Sequence, residues 1–193
     1  MARTDGPVAV LGIGAMGHGI ATSALRAGIP TIVWNRTSEA TRDLAALGAE
    51  VAETAADAAR RAAIVVTMVT DADAVIAIAR DQGMLEALAP GTIWVHMSTI
   101  GVRGIDRVVV LVDTERPDIT LLDAPVSGSK DPAEQGQLTI FASGPTRHAR
   151  PSLPCSTRSA SARSGSGRCG RGPVRGARLP GRRLATGRRS GPR

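Results

Sequence analysis

Val8-Ala9-Val10-Leu11-Gly12-Ile13-Gly14-Ala15-Met16-Gly17 is the stretch whose reading decides the fold. An apolar strand runs straight into Gly-x-Gly-x-x-Gly, the pattern of a strand that turns sharply into a helix whose first amides and positive dipole end face a pyrophosphate. Gly12 permits the tight turn, Gly14 has no Cβ to keep a phosphate off the backbone, and Gly17 lets the following helix, about Ala15–Ala27, pack close. Three glycines at this spacing recur by chance in a chain with 22 of them, and a glycine turn that serves packing alone is the alternative. Context favours the dinucleotide reading, because a second strand, Thr31–Trp34, follows the helix at the interval of a βαβ unit.

At the end of that second strand stand Asn35, Arg36 and Thr37. A site that prefers NAD ordinarily places a carboxylate here to hold the ribose 2′-hydroxyl. Arg36 would instead attract a 2′-phosphate, with Asn35 and Thr37 as further donors, so NADP is the expected cofactor and NAD the lesser one. A solvated Arg36 that merely ends the strand is the alternative.

Outward from this unit the chain alternates short apolar strands with amphipathic helices. The expected elements are a helix over Ser38–Leu47 with Ser38 as N-cap and Gly48 as stop, a short strand Ala49–Ala52, and a helix Ala55–Ala62. Then come a fully buried strand Ile64–Val69, a helix Ala72–Arg80, a strand Thr92–Met97, a helix Val102–Glu115, and strands Thr120–Asp123 and Leu138–Ala142. The alternation specifies an α/β fold with a doubly wound parallel sheet. His18, in the first turn of the glycine-loop helix, reads as inert, and Lys130, the one lysine of the chain, as a solvated loop residue beside Asp131 and Glu134.

Charge divides the chain. Residues 1–144 hold all 17 acidic side chains against ten Arg and one Lys, a net −6, whereas residues 145–193 hold 13 Arg and no acid, and the two parts sum to the overall +7. The first part can bury a core. The second is rich in Arg, Gly, Ser and Pro and is expected to be disordered, since it has little apolar surface to offset its ordering entropy. No signal peptide or membrane span is evident, a cytoplasmic location is expected, and Cys155 and Cys169 match neither a disulfide framework nor a metal motif.

The motifs together resemble the β-hydroxyacid dehydrogenases, the family of 3-hydroxyisobutyrate dehydrogenase and glyoxylate reductase that is related to 6-phosphogluconate dehydrogenase. Gly12 to Gly17, Trp34-Asn35-Arg36-Thr37, Met97-Ser98-Thr99-Ile100, and Asp123-Ala124-Pro125-Val126-Ser127-Gly128-Ser129 followed by Ala133 to Thr139 carry the resemblance, over about residues 7–144. It implies cofactor contacts at Gly12, Ile13, Gly14, Ala15, Met16, Gly17, Asn35, Arg36, Thr37, Met68, Val69 and Thr99, and a substrate-carboxylate loop at Ser127, Gly128 and Ser129. Many members carry a second glycine where this chain has Ser129. The implied chemistry is hydride transfer between NADP(H) and a small hydroxy acid or semialdehyde, with no metal and a helical-domain lysine as acid/base. That lysine motif has no counterpart here, nor does the helical domain that carries it and most of the subunit interface. The expectation is therefore a cofactor-binding domain, 1–144, with no catalytic residue and little or no turnover.

The tail, residues 145–193, admits two further readings. Its charge suits a non-catalytic dinucleotide-binding protein whose basic tail tracks nucleic acid, but it lacks aromatic residues for base stacking and any regular RGG repeat, so a nucleic-acid partner is not expected. Its composition also matches GC-rich coding DNA translated out of frame. Reading plausible codons from the third base of Ser152 permits Pro-Ala-Leu-Phe-Asp-Ala-Leu-Gly-Gln-Arg-Thr-Val-Trp-Val-Gly, which resembles the helix and strand that continue the family sheet. The corresponding expectation is a frameshift near Pro145.

Overall fold

The structure, a computed structural model, describes residues 6–144. The expectations for residues 145–193, namely disorder, nucleic-acid contact and a shifted frame, lie outside the described residues.

Six parallel strands form one sheet in the order β3-β2-β1-β4-β5-β6. They are β1 (Val8–Leu11), β2 (Thr31–Trp34), β3 (Glu50–Val51), β4 (Ile64–Thr67), β5 (Ile93–His96) and β6 (Thr120–Asp123). β1 lies in the middle because its residues are apolar on both faces, and Ala9, Val10 and Leu11 have no exposed surface. Ala9, Leu11, Val65 and Trp94 pack under α3 (Ala55–Arg61), α4 (Ala72–Ile76), α5 (Met84–Ala87) and α6 (Gly101–Glu115), whereas Val10, Val33 and Val66 face α1 (Ala15–Arg26) and α2 (Arg42–Ala46). The direction of winding reverses between β1 and β4, and it is outside the carboxyl ends of strands at such a point that open α/β sheets hold ligands.

The expected helix over Ser38–Leu47 is divided into a 3₁₀ turn, Ser38–Thr41, and the short α2. Ser38 is not the cap. Its carbonyl receives the Thr41 hydroxyl at 2.6 Å, and this local bond competes with a regular helical start. Gly48 ends the unit as expected, with φ +97°. Beyond α4 the helix widens into a π turn, Ala77–Asp81, and α5 follows where no element was expected. α5 is held from a distance, because Arg116 donates to the carbonyls of Leu85 at 2.6 Å, Glu86 at 3.1 Å and Leu88 at 2.8 Å.

The last expected strand does not extend the sheet. Only Thr139–Ile140 (β8) is extended, and it pairs antiparallel with β7 (Val126–Ser127) as a separate hairpin around α7 (Lys130–Glu134). Asp123 and Ser143 exchange backbone bonds of 2.9 and 2.7 Å, which tie the hairpin to the end of β6.

A buried polar chain joins β4 to β5. Trp94 Nε1 donates to Thr67 Oγ1 at 2.9 Å, and Thr67 Oγ1 lies 3.0 Å from His96 Nδ1. The hydroxyl oxygen has lone pairs for both rings and a proton it can give to one, so either neutral imidazole tautomer satisfies Nδ1 here and Nε2 is the nitrogen left over. That nitrogen is buried without a partner among the described residues, and burial pushes the His96 pKa down to about 4. An unfolded chain therefore takes up a proton at a pH where the native one does not. The contribution of His96 is complete above pH 6.5 and is lost between about pH 6.5 and 4, with a limit of about 3 kcal/mol. Urea unfolding at pH 7.5, 6 and 4.5 should show this decline, and His96→Leu should flatten it.

Candidate functional site

Gly12, at φ +95°, turns the chain at the end of β1. A Cβ there would lie 2.4 Å from the Met68 carbonyl oxygen, so the turn is pressed against the end of β4. Gly17 lets the first turn of the helix approach closely. Its Cβ would stand 1.9 Å from the Gly12 carbonyl oxygen, so it lets the helix close over the loop. Around Gly14 a Cβ would meet nothing within 4 Å, and the residue is exposed.

The first helical bond of α1 runs from the His18 amide to the Gly14 carbonyl at 2.8 Å. The amides of Ala15, Met16 and Gly17 precede the helix's own acceptors, no side chain caps them, and the first turn carries no acid. This is an electropositive helix end with open backbone in front of it. His18 lies half-buried one turn in, its Nδ1 without a partner among the described residues.

Asn35 braces this loop. Its Oδ1 accepts the Ile13 amide at 3.0 Å, and its Nδ2 donates to the Thr37 carbonyl at 3.1 Å and hydroxyl at 2.9 Å. The donors expected of Asn35 are thus spent on Thr37, and the Ile13 amide is spent on Asn35. Arg36 and Thr37 are exposed, and Arg36 takes part in none of the ion pairs found among the described residues.

Met68 and Val69 form the facing wall. The Met68 amide still bonds the Leu11 carbonyl at 2.9 Å, and the Val69 amide donates to Ser98 Oγ at 2.8 Å. Ser98 therefore joins the ends of β4 and β5, while Thr99 is exposed beside it. Asp71 caps α4, and the Ala74 amide and then the Thr70 hydroxyl hold its carboxyl below the usual range.

Ser127, Gly128 and Ser129 are all exposed, at the turn from β7 into α7. Gly128, at φ +144°, has Leu138 Cδ2 2.6 Å from where a Cβ would be. Lys130 opens α7 rather than lying in a loop, and its Nζ is 3.8 Å from Glu134 Oε1. α7 rests on α1: a Cβ on Gly19 would meet the Ala133 Cβ at 2.6 Å, and Arg26 donates to the Glu134 carbonyl at 3.0 Å. The expected substrate loop is thereby fixed against the glycine-loop helix.

Beside the end of β2 lies a pocket of about 440 Å³ whose walls include Trp34, Arg36, Thr41, Val51, Glu53 and Gln82. Glu53 and Gln82 were not expected there. The acid immediately past the short third strand was the available signal for Glu53; nothing local marks Gln82, which the π turn delivers. Among the described residues no group of three or more His, Cys, Asp or Glu could hold a metal ion, and no helix is long and apolar enough to cross a membrane.

The fold, the glycine loop and the open helix end define a dinucleotide-binding domain. Residues 7–161 match the family described as the NAD binding domain of 6-phosphogluconate dehydrogenase, and the chain belongs to that family. Among curated relatives, an uncharacterized oxidoreductase, YfjR, of Bacillus subtilis is 38% identical over 148 residues, which are 76% of this chain and 51% of that protein. Glyoxylate/succinic semialdehyde reductase 1 of Arabidopsis thaliana is 32% identical over 148 residues, 76% of this chain and 50% of that protein.

The solved 3-hydroxyisobutyrate dehydrogenase of Mycobacterium tuberculosis with L-serine superposes with a TM-score of 0.68 at 30% identity, covering 76% of this chain and 50% of that one. Other solved structures similar to this chain are complexes with NADP+ (TM-score 0.67) and with NAD+ (TM-score 0.61). The chain spans about half the length of the curated relatives it matches. The matched region also runs past Gly144, to residue 161.

The two glycines separate folding from binding. Gly17→Ala must displace the Gly12 carbonyl and should cost about 3 kcal/mol or more, whereas Gly14→Ala fits φ −82° and should leave the melting temperature within about 1 °C. The latter should nevertheless weaken dinucleotide binding at least about tenfold, by obstructing the phosphate approach. Thermal melts and fluorescence titrations with NADPH check both.

Proposed function

We propose that this chain is the NADP(H)-binding domain of an oxidoreductase that transfers a hydride between that cofactor and a small hydroxy acid or semialdehyde. The cofactor residues are Gly12, Gly14, Ala15, Met16 and Gly17 for the pyrophosphate, Arg36 and Thr37 for the 2′-phosphate, and Met68, Val69 and Thr99 along the crevice; Ile13 and Asn35 hold the loop in shape. Ser127, Gly128 and Ser129 are the site for a substrate carboxylate. The bound cofactor supplies the hydride chemistry, and the chain's own part is to bind, orient and shield.

The observation that carries this reading is Arg36, an exposed guanidinium outside the ion pairs of the described residues, at the strand end where a 2′-substituent falls. The open backbone at Gly14 and the acid-free first turn of α1 fit the pyrophosphate. The names of the relatives, a glyoxylate/succinic semialdehyde reductase and a 3-hydroxyisobutyrate dehydrogenase, support the substrate class.

NADPH should bind the 193-residue chain more tightly than NADH. Arg36→Ala should weaken NADPH about ten- to a hundredfold, the value of a charge-assisted phosphate contact, and leave NADH nearly unchanged. Equal affinity of the parent chain for both cofactors, untouched by the substitution, would overturn the assignment.

Lys130 is the one lysine of the chain and is ion-paired with Glu134 on α7, so the chain taken alone is expected to bind cofactor and turn over little. Loss of a positioned acid/base alone costs about a hundred- to ten-thousandfold. NADPH oxidation with glyoxylate or succinic semialdehyde measures this. Robust turnover that vanishes in Lys130→Ala would give that residue the acid's role.

A further inference from the structure

The pocket beside β2 carries two opposite charges, Arg36 and Glu53, neither of which enters an ion pair among the described residues. Arg36 belongs to the end of β2. Glu53 lies just past the neighbouring strand. β3 pairs parallel with β2, Ile32 with Glu50 and Val33 with Val51, and the Ala52 amide extends the ladder by bonding the Val33 carbonyl at 3.0 Å. Glu53 is the next residue, at the bend that leads from β3 to α3, and it lines the pocket together with Asn35 and Arg36.

Asn35 occupies the position where a site that prefers NAD puts its ribose-binding carboxylate. Here that position is engaged in bracing the Ile13 amide and Thr37. The carboxylate beside it, exposed and lining the same pocket as Asn35 and Arg36, is Glu53.

We propose that Glu53, which enters the pocket from the bend after β3 instead of from the end of β2, accepts hydrogen bonds from the adenosine-side ribose hydroxyls of a bound dinucleotide, so that one pocket serves both NAD(H) and NADP(H). This rests on the reading that the crevice binds a dinucleotide with its 2′-position at Arg36. The two charges then act on different ligands. With NADH, Glu53 accepts a hydrogen bond from a ribose hydroxyl and Arg36 stays in solvent. With NADPH, Arg36 holds the phosphate and Glu53 repels it, which narrows the preference that Arg36 creates.

The test is a titration of the full 193-residue chain with NADH and with NADPH, followed by cofactor fluorescence, for the parent, Glu53→Gln, Glu53→Ala and Arg36→Ala. Glu53 is exposed, and circular dichroism verifies that the variants remain folded. Glu53→Gln should weaken NADH about three- to tenfold and tighten NADPH about two- to fivefold, so the ratio of the two affinities shifts by about six- to fiftyfold. Glu53→Ala should shift it in the same direction.

If NADPH binding depends on Arg36 while neither Glu53 variant changes NADH affinity, this inference falls and the cofactor reading stands. Both cofactors moving together in the Glu53 variants would also overturn it, since the carboxylate would then act on the pocket as a whole. Failure of either cofactor to bind the parent chain would overturn both readings.

Discussion

The site depends on one backbone contact. The Gly17 Cα sits over the Gly12 carbonyl so closely that a methyl group on it would be 1.9 Å from the oxygen, and Gly12 in turn lies against the Met68 carbonyl. The turn after β1, the first turn of α1 and the end of β4 thus meet with no side chain between them. Close packing tolerates this only where hydrogen replaces carbon at both glycines. The Asn35 amide and the Ser98 hydroxyl then hold the two strand ends that flank the contact. Remove the contact, and the helix end no longer points its amides into the crevice.

Much of the core was legible in the sequence because it is written locally. The central strands are apolar runs beside glycine, proline or polar residues, and α1, α3 and α6 carry their buried faces at helical spacing. What was not legible depends on distant partners. α5 has few residues and no cap of its own, and it exists through Arg116, about thirty residues on. The stretch from Leu138 to Ala142 has the composition of a sheet strand, yet its partner is the turn-flanking pair Val126 and Ser127, a choice that alternation cannot encode.

The site divides in the same way. The glycine loop and the Asn35-Arg36-Thr37 end were readable as types in a pattern, but which polar groups remain for a ligand was not. Sequence names three donors at that strand end, whereas the fold commits Asn35 to bracing. Gly19 was passed over because its purpose lies across the fold, in admitting Ala133. The helix that follows the Ser127–Ser129 turn is thereby set on the helix that follows Gly14. The two loops are carried by one packed pair of helices, so a shift in either moves both.

The place of β1 in the sheet has a consequence for how the chain is made. Val8 to Leu11 leave the ribosome before either partner, yet they pair with Thr31 to Trp34 on one side and with Ile64 to Thr67 on the other. Until the second partner is synthesised, the innermost strand of the finished sheet is an outer one, apolar on both faces and open along one side. At about 5–20 residues per second that interval lasts seconds, time enough for a neighbouring nascent chain to pair there instead. The residue run that gives the domain its centre is also, briefly, its most vulnerable edge.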